Sequence, residues 1–178
     1  MEGVQITSNQ IYGGSIGGVV GYSWGTIENC SVSGSVSGTV YVGGVVGAQI
    51  GGSITGCSSS ATVKGMVDVG GVAGQTNSSA TLTACYATGN VTSTGSSTGY
   101  VHIGGFLGNN YTTVTACYWK NNHEQGIGYN RESTGATKVD GTGVTWKNAV
   151  DAMNTALQNA GSEWRYELNG ALPTLRKQ

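Results

Sequence analysis

Four copies of one short segment, Gly-Gly-apolar-apolar-Gly, constrain this chain more than any other feature. They occupy residues 17–21, 43–47, 70–74 and 104–108. Each copy is followed by one cysteine, Cys30, Cys57, Cys85 or Cys117, and these are all the cysteines in the 178-residue chain. A fixed internal period of this size marks a repeat architecture, in which each unit buries its apolar face only against its neighbours. The 32 glycines lack the three-residue period of collagen, and the regular apolar positions separate the chain from a disordered one.

Alignment on the cysteines exposes the period of a strand. Three residues before each cysteine stands Ile27, Ile54, Leu82 or Val114, and six residues after the first three stands Val36, Val63 or Val91. The residues at 0, +2, +4 and +6 share one parity and are small, as the inside of a narrow coil requires. Glycine and β-branched residues disfavour helix, and no 3.6-residue period survives the double glycines. The cysteine spacings are 27, 28 and 32, and the extra length falls in the segment 93–99, read as a surface loop. Residues 1–119 therefore predict an all-β domain, a parallel β-solenoid of about four coils, with Val4, Ile6 and Ile11 in an incomplete first coil.

Charge divides the chain near residue 120. Before it Lys64 is the only basic side chain, whereas seven Lys/Arg and six Asp/Glu follow. Residues 120–178 are read as a loop, an amphipathic helix over about 146–160 and a terminal segment; the helix and the segment cap the last coil, the alternative being a helix packed on the side of the stack. Thr145 is the expected N-cap and Gly161 the residue beyond the C-terminus.

Few residues offer chemistry. A line of parallel thiols suits neither zinc nor inter-coil disulfides, so the cysteines read as buried hydrophobes, with no metal and no cofactor. The Gly-Gly segments lack the following helix and lysine of a phosphate loop. Three acids precede residue 120, too few and too scattered for a catalytic cleft, so no catalytic residue is assigned. His123, Glu124, Arg131 and Glu132 form the one polar cluster, read as a solvated loop. Outward rows at −4 (Thr26, Ser53, Thr81, Thr113) and −2 (Glu28, Thr55, Thr83, Thr115) could order water in the manner of ice-binding solenoids, but a serine and a glutamate interrupt them. The binding candidates are aromatic: Trp24, Tyr111, Tyr118 and Trp119. A net charge of −1 offers no field for nucleic acid, and no apolar run is long enough to enter a membrane.

The unit Gly-Gly-Val-Val-Gly followed by Gly25-Thr26-Ile27-Glu28-Asn29-Cys30, with the later Cys85-Tyr86-Ala87-Thr88-Gly89-Asn90-Val91, resembles the GLUG motif. The ending Trp164 to Leu175, with Asn169-Gly170-Ala171-Leu172-Pro173, is similar to the tail that closes such arrays. The chain departs from the pattern at Cys30-Ser31 and Cys57-Ser58, where an aromatic usually follows the cysteine. GLUG repeats occur in large bacterial surface proteins, among them adhesin-like proteins and the N-terminal region of IgA-specific metallopeptidases. The resemblance implies an extracellular or cell-surface bacterial module. The chain is read as part of a longer one, not an enzyme, with a glycan or a surface protein as its partner. The alternatives are a structural spacer, a carbohydrate-active β-helix enzyme and an ice-binding solenoid.

Overall fold

The computed structural model describes residues 4–7, 14–95 and 100–178. Ile11 and residues 96–99 of the predicted loop lie outside them. The described chain winds through four parallel ladders in which like positions of successive repeats pair. The first joins Val4–Thr7, Gly34–Ser37, Thr62–Gly65 and Val91–Ser93, with Val36, Val63 and Val91 in register. The second joins Ile16–Gly17, Val42–Gly43, Asp68–Gly70 and His102–Gly104. The third is built on the long strands Val46–Thr55 and Ala73–Thr83, and holds Ile27, Ile54, Leu82 and Val114 in one line. The fourth joins Ser31–Val32, Ser58–Ser59, Tyr86–Ala87, Tyr118–Trp119 and Thr137–Lys138.

The parities expected from the cysteine alignment hold. Val36, Val63 and Val91 are fully buried, as are Ile54, Leu82, Cys57 and Cys85. Each buried aliphatic side chain contributes roughly 1.5–3 kcal/mol. The interior is narrow, and the double glycines show why. A Cβ on Gly43 would collide with the Val46 carbonyl and stand 2.7 Å from Ala73 Cα in the next coil. A Cβ on Gly44 would strike the Gly71 carbonyl of the neighbouring coil. The motif is therefore a tight corner whose backbone touches the backbone above it, and only glycine fits.

A second corner precedes each cysteine. Asn29, Gly56, Ala84 and Ala116 occupy it, all with positive φ, between 48° and 62°. The turn takes the cysteine N–H out of the strand ladder, and sulfur supplies a substitute acceptor. Cys57 N–H donates to Cys85 Sγ at 3.4 Å, and Cys85 N–H donates to Cys117 Sγ at 3.4 Å. Each of these thiols also donates to the carbonyl two residues earlier, at 3.3–3.4 Å. The four cysteines are free; Cys30, at the end of the line, is half-buried.

A third corner carries a buried polar ladder. Gln49, Thr76 and Asn110 are each fully buried two residues after the closing glycine of the motif. Thr76 Oγ1 donates to Asn110 Oδ1 at 2.7 Å, and Asn110 Nδ2 donates to Asn130 Oδ1 at 2.8 Å. These bonds satisfy groups whose burial would otherwise cost about 1–3 kcal/mol each.

Two expectations change. The parallel stack does not stop at residue 119, because Ile127–Asn130 pairs with Leu107–Asn110 and Thr137–Lys138 pairs with Tyr118–Trp119. The helix is where expected, Trp146–Asn159 (α1), with a capping box between Thr145 and Asn148 and Gly161 at φ 71°. It lies on the flank of the stack, not over its end. Trp146, Met153 and Leu157 pack with Tyr86, Tyr118 and Ala84 of the third and fourth repeats, and with Tyr166 of the antiparallel hairpin Trp164–Glu167/Thr174–Lys177. The physical reason is Tyr86 and Tyr118: they follow their cysteines, point outward by parity, and form an apolar flank that needs a cover.

Candidate functional site

Trp24 and Tyr111 hold equivalent positions, three residues after the closing glycine of their motifs, as do Ile50, Asn77 and Arg131. The position just after the glycine gives a parallel line in register: Tyr22, Ala48, Gln75, Asn109 and Tyr129. The buried polar ladder between the two lines anchors this corner, so its outward side chains stand on a fixed backbone. Aromatic residues occupy both ends of the corner, Tyr22 and Trp24 at one and Tyr111 and Tyr129 at the other. With coils spaced by roughly 4.8 Å, the first and fourth positions stand about 14 Å apart.

Trp24 is 67% exposed and rests one edge of its ring 3.2 Å from where a side chain on Gly51 would begin. Gln49 Nε2 holds the adjoining loop by donating to the carbonyls of Gly25 and Gly51. At the other end Arg131 lies over the Tyr111 ring, 5.3 Å from its centroid, and its Nε donates to Tyr129 Oη at 3.3 Å. The Tyr111 and Tyr129 rings are 6.3 Å apart, and His102 stacks on Tyr129 at 5.0 Å. His102 is itself fixed: its Nδ1 lies 2.7 Å from Oδ1 of the buried Asp68, whose other oxygen accepts from Asn109 Nδ2 at 3.2 Å. A carboxylate only accepts hydrogen bonds, so Nδ1 carries the proton.

This arrangement can recognise a ligand by stacking and by a pre-oriented guanidinium fork. The Asp68–His102 pair has the form of an oriented base, but among the described residues no serine, threonine or cysteine hydroxyl or thiol is hydrogen-bonded to His102.

The other two predicted binding residues are not available to a ligand. Tyr118 is 8% exposed beneath α1, and Trp119 is 7% exposed inside the stack. Trp119 stands at the inward position held by Val32, Ser59 and Ala87 in the earlier repeats, so its ring closes the core against the Gly126 backbone. The polar cluster His123, Glu124, Arg131 and Glu132 disperses: His123 Nε2 is bonded to the Val91 carbonyl at 2.8 Å, Glu124 pairs with Lys138 at 2.6 Å, and Arg131 joins the tyrosines. The threonine rows do point outward, with Thr26, Thr81, Thr113 and Thr115 exposed and Ser53, Thr55 and Thr83 partly so. Tyr129, His102 and Asp68 were missed, although the spacing Gly128-Tyr129-Asn130-Arg131 repeats that of Gly108-Asn109-Asn110-Tyr111.

Residues 12–37 and 38–64 each match the family model of the GLUG motif. The chain carries GLUG-motif repeats. The matched segments are the first two of the four Gly-Gly units; the third unit pairs in register with the second, and the fourth with the third. No curated protein and no solved structure matches the chain. Among the described residues, no helix is long and apolar enough to cross a membrane.

Proposed function

We propose that this GLUG-repeat chain is a non-enzymatic, adhesin-like binding module displayed at a bacterial cell surface. Its parallel stack serves as a stiff frame of about four coils, with the helix and hairpin protecting one flank. The observation that carries the reading is the aromatic corner, where Trp24 stands exposed and Tyr111, Tyr129 and Arg131 are locked together on a backbone held by buried amides. Rigid aromatics on fixed positions lose little entropy on binding and are common interface anchors. The partner is a glycan or a protein of another surface, and the cell surface is also where proteolytic resistance of a stacked coil is most useful. Arrays of glycans and of surface proteins test this. The intact chain is expected to bind a member of such an array, with Trp24→Ala or Tyr111→Ala lowering affinity at least tenfold. Binding that neither substitution changes would remove the corner as the site. No binding on any array would favour a spacer without ligand.

A further inference from the structure

A groove on the flank is lined by residues other than those of the aromatic corner. The residue after each cysteine faces outward, and it is tyrosine in the third and fourth repeats but serine, Ser31 and Ser58, in the first two. Helix α1 seats on the tyrosines, and the hairpin reaches past them toward the first repeats: Tyr86 Oη donates to the Pro173 carbonyl at 2.5 Å, and Leu175 lies over Gly56. Where the serines stand there is no aromatic to fill the space beneath the hairpin. A cavity of about 160 Å³ remains between Ser31, Ser58 and the strand bearing Leu175. Beside it opens a cleft of about 480 Å³ between the outward rows of Thr55, Thr81 and Thr83 and the end of α1. Asn29 and Trp164 line both, so the two adjoin along one groove. The larger volume falls in the range of small-ligand clefts.

The chemistry of the groove is specific. Its walls carry rows of hydroxyls at strand spacing, one indole, the Asn29 amide and the carboxylates of Glu28 and Glu163. No lysine or arginine lines it. Glu163 is paired with Lys177 at 2.9 Å, whereas Glu28 forms no ion pair among the described residues. Asn29 Oδ1 is buried against Gly56 and has no hydrogen-bond partner among the described residues. Hydroxyls that donate and accept, carboxylates that accept, and an aromatic side chain suit a polyhydroxylated ring with an apolar side. An unpaired carboxylate and no cation turn away anionic rings. We infer that this flank groove is a carbohydrate-binding site that takes a neutral oligosaccharide.

The inference is independent of the aromatic corner, and the test keeps the two apart. The whole chain is titrated by calorimetry with maltotriose, cellotriose, the N-acetylglucosamine trimer and the galacturonate trimer. At least one neutral trimer is expected to bind and the galacturonate trimer is not. Thr55→Tyr, which fills the cleft from an outward strand position, and Trp164→Ala are each expected to weaken binding more than tenfold. Trp24→Ala is expected to leave it within twofold. Circular dichroism melts identify any variant that loses its fold, and Thr55→Tyr carries the test if Trp164→Ala does so. The inference is overturned if no neutral trimer binds, if galacturonate binds as well as they do, or if Trp24→Ala abolishes binding while Thr55→Tyr does not.

Discussion

Single residues set the corners of this coil, and several of them work against their own backbone preference. Ala84 and Ala116 hold the left-handed conformation that Gly56 supplies in the second repeat. That conformation costs an L-residue roughly 1–2 kcal/mol. Ala116 is only half-buried, so Ala116→Gly should relieve the strain without opening a cavity. Offset by the entropy of glycine in the unfolded chain, the expected gain is about 0.5–1 kcal/mol in chemical denaturation. A loss of stability would mean that the methyl group contributes more than the strain removes. The thiols make a second residue-level prediction. The hydrogen bond to Cys85, together with burial, pushes the Cys57 thiol far above its ordinary 9.0, and burial does the same for Cys85. Both remain protonated in the folded chain while the unfolded chain ionises them near 9.0. Their contribution is therefore complete below that pH and is lost as pH rises beyond it, by about 1.4 kcal/mol per pH unit for each thiol. Tyr166, raised chiefly by burial, adds to the loss above its ordinary 10.0. Denaturation midpoints measured from pH 8 to 10.5 should be level at first and then fall steeply; a flat profile would place the thiols in contact with solvent.

At the scale of elements, the helix shows what a sequence pattern carries and what it omits. The 3.6-residue period located α1 and its buried face, and Thr145 and Gly161 marked its ends, because these are local properties. Where the helix docks depends on a surface assembled from Tyr86 and Tyr118, which lie 32 residues apart and become neighbours only after the coils stack. An amphipathic pattern names a face but not its partner, which is why an end cap was expected. The docking is mainly apolar. Trp146 is buried, and its indole N–H has no hydrogen-bond partner among the described residues. Trp146→Phe should consequently cost less than about 1 kcal/mol, since it removes an unsatisfied donor together with some volume, whereas Trp146→Ala should cost about 3–5 kcal/mol. Thermal melts of the two variants check this, and equal losses would show that the indole N–H is bonded after all.

For the molecule as a whole, repetition made the fold legible and its decay hid the rest. The ladder positions of Ile54, Leu82 and Val63 could be read from the cysteine alignment because the repeats are near-copies. The last strands escaped notice because Gly126-Ile127-Gly128 keeps only part of the five-residue motif and no cysteine follows it. The candidate site was half legible. Trp24 and Tyr111 stand at exposed or half-exposed corner positions, whereas Trp119 is buried by the continuing stack and Tyr118 by the docked helix, and neither cover has a local signal. The Asp68–His102–Asn109 contacts join residues up to 41 apart and leave no local signature. All of these conclusions require that successive turns of the chain lie in register. Methyl–methyl nuclear Overhauser contacts among valines measure this most directly. Val36 should show cross-peaks to Val63, and Val63 to Val91, with none between Val36 and Val91, which stand two coils apart. Absence of the two neighbouring contacts, or a direct Val36–Val91 contact, would contradict the stacked coil.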